Sequence, residues 1–219
     1  MAKVFVPEHK LLDDAQASKW GSIVPLLPQD LKLGLEPERI KVLTARGVGA
    51  FNENEDYLLL DGSPVACAVI MSLLLIERST LNLLLWDPRS RRYFNRTVSF
   101  ERVSESNFTS PEKRIFASND IHDMSGLNFP IISLTSGQDP NILEPDRILD
   151  EMIKILVTSQ PHDMLLISGS KIHNCIAGGI ISKMHSKVNY LLFNAQESRY
   201  VLRTCIYDLE TLVRICIGL

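Results

Sequence analysis

The chain resembles itself at a spacing of 107 residues, and that internal repeat limits its possible folds more than any other feature. When the segment from Asp56 to Val103 is laid on that from Asp163 to Glu210, 13 of 48 positions are identical, far above chance, so one structural plan is expected twice. The identities fall at Asp56, Leu58, Leu59, Gly62, Ser63, Ser79, Asn82, Leu84, Leu85, Arg92, Tyr93, Arg96 and Thr97 and at their counterparts 107 positions on. One residue of slack extends the match upstream, where Leu35-Glu-Pro-Glu-Arg-Ile40 pairs with Leu143-Glu-Pro-Asp-Arg-Ile148 and Ile23 to Leu26 resembles Ile131 to Leu134. The polar, proline-containing stretch 104–113 lacks periodicity and reads as a linker between a first unit, 1–103, and a second, 114–219.

Each unit opens with a short apolar strand, Lys3 to Pro7 or Arg114 to Ser118. Pro37 and Pro145, each beside an acid, suit the first turn of a helix reaching about Ala45 or Val157. Asp56 to Asp61 and Asp163 to Ser168 have the length and apolarity of strands buried on both faces. Gly62-Ser63 and Gly169-Ser170 then turn the chain, with the serine placed to cap a helix running to about Arg78 or His185. A second buried strand follows at once (Leu81 to Trp86, Val188 to Phe193), which implies a right-handed crossover between parallel strands. Tyr93 to Phe100 and Tyr200 to Tyr207 alternate like the return strand of a hairpin. The expected class is α/β: two tandem Rossmann-like units with mixed sheets, each β-β-α-β-α-β-β, packed about a pseudo-twofold axis as a homodimer would be.

A net charge of −3, from 23 basic and 26 acidic residues, offers no global attraction for a polyanion, so nucleic-acid binding is not expected. The N-terminus meets Glu8, His9 and Lys10 without an apolar signal segment, which favours the cytoplasm. The longest apolar stretch, Val65 to Ile76, falls well short of the roughly 20 residues of a membrane span and reads as a buried helix. Cys67, Cys175, Cys205 and Cys216 form no Cys-x-x-Cys pair and are expected as free, buried thiols.

The Gly-Ser turns, Gly62-Ser63 and Gly169-Ser170, are the leading candidate site, because ligands in α/β units collect where free helix amides face outward at the carboxyl ends of parallel strands. A tight turn and a cap explain the same two residues without a ligand. Arg96 and Arg203 recur three residues after Tyr93 and Tyr200, hence on the opposite face of the strand. They suit a twice-made anion or partner contact, or charges that protect a sheet edge. Arg89, Arg91 and Arg92 make the first hairpin basic, but the second hairpin carries Glu197, so the two units share no nucleic-acid surface. Ser170 and His173 sit three apart like a nucleophile and base, yet no Gly-x-Ser-x-Gly surrounds them and Ala66 replaces the histidine in the first unit. The five histidines lack metal-ligand spacing, and His173 and Cys175 point apart on a helix. No catalytic residue, metal or cofactor is therefore expected.

The succession of strand, Gly-Ser, apolar helix, Asn82-Leu-Leu-Leu-Trp-Asp87 and Tyr93-x-x-Arg96 resembles short uncharacterised α/β proteins encoded by bacteriophages, mainly over Asp56 to Phe100 and Asp163 to Tyr207. More distantly, it is similar to the Rossmann-like ligand-sensing domains of CRISPR accessory proteins, in which a turn after the first strand meets a cyclic nucleotide. The paired hairpin strands and the position of the second strand depart from that pattern. The leading expectation is a non-enzymatic binding or assembly protein, viral in origin, that presents its paired units to a protein partner or to another copy. The alternative is a nucleotide or anion binder with its ligand between the two Gly-Ser turns. Phosphodiester cleavage there would need a general acid or base that the sequence does not single out.

Overall fold

In the computed structural model, residues 1–8, 13–28, 36–101, 103, 112–117, 129–134, 145–168, 170–208 and 210 are described. The first sheet is built from β1 (Lys3–Val6), β2 (Ser22–Pro25), β3 (Tyr57–Leu59), β4 (Thr80–Asp87) and β5 (Arg92–Ser99) in the order β2-β1-β3-β4-β5. All neighbours are parallel except the antiparallel hairpin β4-β5, so the sheet is mixed. Helices α1 (Asp14–Ala17), α2 (Pro37–Gly49) and α3 (Pro64–Glu77) connect its strands. The second sheet uses β6 (Ile115–Ala117), β7 (Ile131–Ser133), β8 (Met164–Leu166), β9 (Lys187–Asn194) and β10 (Arg199–Ile206), with α4 (Pro145–Leu156) and α5 (Lys171–His185). Its order, β7-β6-β8-β9-β10, and its one antiparallel pair are those of the first sheet. The protein is thus a mixed α/β fold with two five-stranded sheets. Most of the expected linker, residues 104–111, lies outside the described residues, as does Cys216.

Strand alternation sorts each sheet into two faces. Phe5, Leu58, Leu83 and Leu85 of the first sheet and Phe116, Leu165, Tyr190 and Leu192 of the second join one continuous core with buried residues of α2, α3, α4 and α5. On the opposite faces, Val4, Val6, Leu59 and Leu84 pack with Ala17 of α1, while Ile115, Met164, Leu166 and Leu191 cluster separately. The apolar stretch expected as a buried helix is α3, in which every residue from Val65 to Leu75 is buried. Helix α2 extends past Ala45 to Gly49, because Ile40, Thr44 and Val48 continue one buried face at four-residue spacing.

At the centre, α3 and α5 lie side by side and run in the same direction. Cys67 meets Cys175 near their starts, Ser72 lies beside Gly178 and Ser182, and Lys183 reaches Arg78 and Ser79 at their ends. A side chain on Gly179 would collide with Leu75, so the glycine permits the close approach. Ser72 Oγ also lies 3.3 Å from the Tyr190 hydroxyl, which in turn bonds Tyr207 at 2.7 Å. Farther out, the buried Lys41 of α2 donates to the Ile206 carbonyl (2.6 Å) and pairs with Glu38, whose other oxygen accepts from Ile206 N (2.8 Å). Helix α2 thereby satisfies an edge strand that would otherwise offer free backbone groups.

The repeated polar residues tie equivalent loops together. Asp56 accepts from the amides of Lys3 and Asn52, both at 2.8 Å, and Asp163 from those of Arg114 (2.9 Å) and Gln160 (2.8 Å). Asn82 donates to the carbonyls of Glu53 and Asp56 while accepting from Thr97; Asn189 donates to Pro161 and Asp163 while accepting from Thr204. Phe100 N reaches Ser79 O, and Tyr207 N reaches Ser186 O. Arg78 closes on the carbonyls of Val48 and Phe51, a task that His185, 107 positions on, performs at Ser159 O.

Asp163 is 2% exposed and also pairs with the Arg114 guanidinium at 2.7 Å. Asp163→Ala strands that buried charge and two amides, so it should lower stability by about 3–5 kcal/mol. Glu197→Ala, which breaks the solvent-exposed pair with Arg199, should change it by less than about 0.5 kcal/mol. Urea unfolding measures both.

Candidate functional site

In the parallel pair β3-β4 the last residue of β3, Leu59, lies beside Leu84 while β4 continues through Trp86 to Asp87, and the chain leaves β3 through Leu60, Asp61 and Gly62. Gly62 has φ +104, a conformation that a Cβ would strain, and its amide donates to Asp61 Oδ1 at 2.9 Å. The tight turn expected of this glycine is therefore present. Ser63 occupies the N-cap of α3 without a side-chain cap bond, and its amide donates to the Glu8 carboxylate at 3.3 Å. The chain's own acid thus sits at the positive end of α3.

The second turn differs. Gly169 lies outside the described residues. Ser170 is the N-cap of α5 but also makes no side-chain cap bond; its hydroxyl lies 2.7 Å from His173 Nδ1 instead. The expectation that both serines cap through their side chains is corrected on these grounds: Glu8 supplies the acceptor at α3, and His173 engages the hydroxyl at α5.

The parallel packing of α3 and α5 carries the start of α5 across to the carboxyl ends of the first sheet. There Ser170, Lys171 and Ile172 close a cleft of about 230 Å³ against Leu59, Leu60, Asp61, Leu84, Leu85, Trp86 and Tyr93. Lys171 Nζ lies 3.8 Å from Asp61 Oδ1, and both side chains are partly open to solvent. The Trp86 and Tyr93 rings meet edge to face at 5.0 Å, forming an aromatic wall. The cleft therefore joins an apolar, aromatic side to one cation, one carboxylate and a helix N-terminus. Such a set accommodates a planar group with an attached anion.

Of the described candidates drawn from sequence, only Ser170 lines this cleft. Gly62 and Ser63 flank it through Asp61. Arg96 and Arg203 lie on the edge strands β5 and β10, both exposed: Arg96 Nη1 donates to Asn95 O with its guanidinium 4.8 Å from the Phe94 ring, and Arg203 Nη1 donates to Leu202 O. Asp61, Trp86, Tyr93 and Lys171 were not singled out by sequence. The sequence signal for Asp61, Trp86 and Lys171 is position, near the ends of parallel strands or in the first turn of the following helix, and for Tyr93 its recurrence as Tyr200 in the repeat.

His173 is 8% exposed, and burial pushes its pKa below the ordinary 6.5, opposed by the charge of Glu151 on α4. Cys67, Cys175 and Cys205 are free and buried as expected. Burial raises the Cys175 thiol well above its usual range and lifts Cys205 to about 12, so both remain unreactive thiols at neutral pH. Among the described residues, no three His, Cys, Asp or Glu side chains gather as a metal site, and no helix is long and apolar enough to cross a membrane.

Residues 2–100 match the family model of the Phage Pam3 gp32-like protein, which bears out the resemblance to bacteriophage-encoded proteins over the first half of the chain. By structure, the chain is similar to the Cap4 SAVED/CARF-domain containing receptor of Acinetobacter baumannii, solved with the cyclic trinucleotide 2'3'3'-cAAA. That likeness has a TM-score of 0.50 at 10% identity and covers 94% of this chain, which spans about half (51%) of the receptor's length. Two further structures of the receptor, one of them with 3'3'3'-cAAA, align over 92% of this chain and 48% of theirs. Their TM-scores are 0.47 and 0.49, at 12% and 10% identity. The mixed α/β fold, two five-stranded sheets flanked by helices, is thus similar to that of the first of these receptor structures. No match was found among curated proteins.

The lowered His173 pKa sets a sign for pH dependence. Below pH 6.5 the unfolded chain takes up a proton at this residue that the folded chain refuses, so folded stability falls as pH drops from 6.5 toward the lower folded value. His173→Gln should remove this component, flattening stability between neutral pH and that value relative to wild type. The imidazole resonance of wild type should titrate below 6.5 by NMR.

Proposed function

We propose that this chain is a phage-encoded, cytoplasmic ligand-binding module that takes a nucleotide, or another phosphate-bearing anion with a planar group, in the cleft between β4 and the start of α5. The observation that carries the reading is the meeting of Lys171 and the first turn of α5 with Trp86 and Tyr93 at the carboxyl ends of parallel strands. The lysine and helix amides suit a phosphate, the indole suits a stacked base, and Asp61 suits an amine or hydroxyl donor. The likeness of fold to the Cap4 receptor supports testing cyclic oligonucleotides first, since that receptor was solved with one.

In this reading the two sheets are tandem Rossmann-like units, 1–103 and 114–219, derived by duplication and related by a pseudo-twofold that runs along the paired helices. The recurrence of the Asp, Asn and Thr bonds at a spacing of 107 supports it. The units have diverged in use. Glu8 occupies the first helix N-terminus, and the second opens onto the cleft.

A second reading, an assembly surface for a protein partner or another copy, is favoured by Phe193, Leu202 and Ile206. These are about half exposed (51%, 47% and 49%) on one face of β9 and β10.

Isothermal titration with cyclic triadenylate, AMP and inorganic phosphate separates the readings. At least one adenylate should bind wild type, and Lys171→Glu and Trp86→Ala should each weaken it by about tenfold or more, equivalent to about 1.4 kcal/mol. Arg203→Ala, remote from the cleft, should not. No heat with any adenylate, together with concentration-dependent self-association lost in Leu202→Glu, would transfer the function to the assembly surface.

A further inference from the structure

We infer that Ser170 and His173 form a nucleophile and base that open a phosphate diester held in the cleft, through a covalent phosphoserine. The inference rests on the anion-binding reading of the cleft and extends it from binding to chemistry. Three observations converge. Ser170 lines the cleft, and its hydroxyl lies 2.7 Å from His173 Nδ1, within the reach that proton transfer requires. That hydroxyl makes no cap bond to the helix amides, and Lys171 and Ile172 of the first turn of α5 line the same cleft. Lys171, adjacent in the chain, places a cation at the mouth. These are the parts of a nucleophilic site: an attacking oxygen, a base, and donors for the charge that gathers on the phosphoryl oxygens.

Burial keeps the imidazole neutral at physiological pH, the state in which it accepts a proton. Glu151 of α4, which also pairs with Arg147 at 3.4 Å, acts on the ring in the opposite sense and favours the imidazolium once it forms. In the first step the Ser170 Oγ–P bond forms, the bond from phosphorus to the leaving oxygen breaks, and His173 moves the serine proton to that oxygen, releasing an alcohol. In the second, His173 takes a proton from water, which attacks phosphorus and restores the serine hydroxyl, leaving a phosphate monoester. The chain carries its own comparison: Ser63 holds the equivalent helix position, but Ala66 stands where the base would be and the Ser63 amide faces Glu8.

The test uses the full chain, a fluorophosphonate probe with peptide mapping, and bis(p-nitrophenyl) phosphate turnover. Wild type should carry the adduct on Ser170 and none on Ser63. Ser170→Ala should lose both readouts, and His173→Gln should lower both by about a hundredfold to ten-thousandfold. Thermal unfolding and adenylate titration of each variant report folding and binding separately. Unmodified Ser170 in wild type that still binds an adenylate would overturn the dyad while leaving the binding reading intact. Adduct without any adenylate binding would keep the nucleophile and remove the nucleotide. Turnover of p-nitrophenyl acetate but not of the diester would overturn the substrate class.

Discussion

The structure depends on the enclosure of one helix that has no polar face. From Val65 to Leu75, α3 is buried at every position, so water cannot be allowed on any side of it. A single sheet covers one side of a helix. The remaining side is closed by α5, whose Ala177, Gly178 and Gly179 are small enough to admit Ala68, Ser72 and Leu75 at close range. Because the two helices run in the same direction, their N-termini emerge at one end of the molecule. The geometry of the cleft follows from this: α5 carries Ser170 and Lys171 to the ends of strands that belong to the other sheet.

Close packing of apolar helices leaves register unspecified, and polar groups supply it. Ser182 Oγ donates to Gly179 O at 3.0 Å and lies 3.5 Å from the Ser72 carbonyl across the helix pair, and the Ser72, Tyr190 and Tyr207 hydroxyls form a buried chain from α3 to β9 and beyond. Burial pushes both tyrosines well above their usual range, so they stay neutral and donate hydrogen bonds. Each such hydroxyl would be costly to leave unpaired, so sliding one helix along the other is penalised. At the periphery, Lys41 and Glu38 of α2 do the same for the edge of β10.

Much of this was legible in the sequence for a definite reason. Asp56, Asn82 and Thr97 match Asp163, Asn189 and Thr204 because each set makes one hydrogen-bonded tie between loop, strand and hairpin, and no other residue types fit it without loss. Gly62 was legible because its positive φ leaves few alternatives. The cleft was not legible, because it joins Trp86 to Lys171 through helix packing that leaves no spacing signal along the chain. Arg78 and His185 escaped notice since different side chains satisfy equivalent carbonyls. The two serines misled in one respect: their helix position was right, but Glu8 accepts from the Ser63 amide and His173 engages the Ser170 hydroxyl, which a local pattern does not reveal.

Native-state hydrogen exchange, followed amide by amide across low concentrations of denaturant, tests most directly whether the paired helices form one core. The account predicts that amides in the middle of α3 and of α5 exchange through a single opening, with one free energy and one denaturant dependence. Exchange of α5 at a distinctly lower free energy while α3 remains protected would mean that the two sheets fold as separate bodies, and the cleft between them would lose its physical basis.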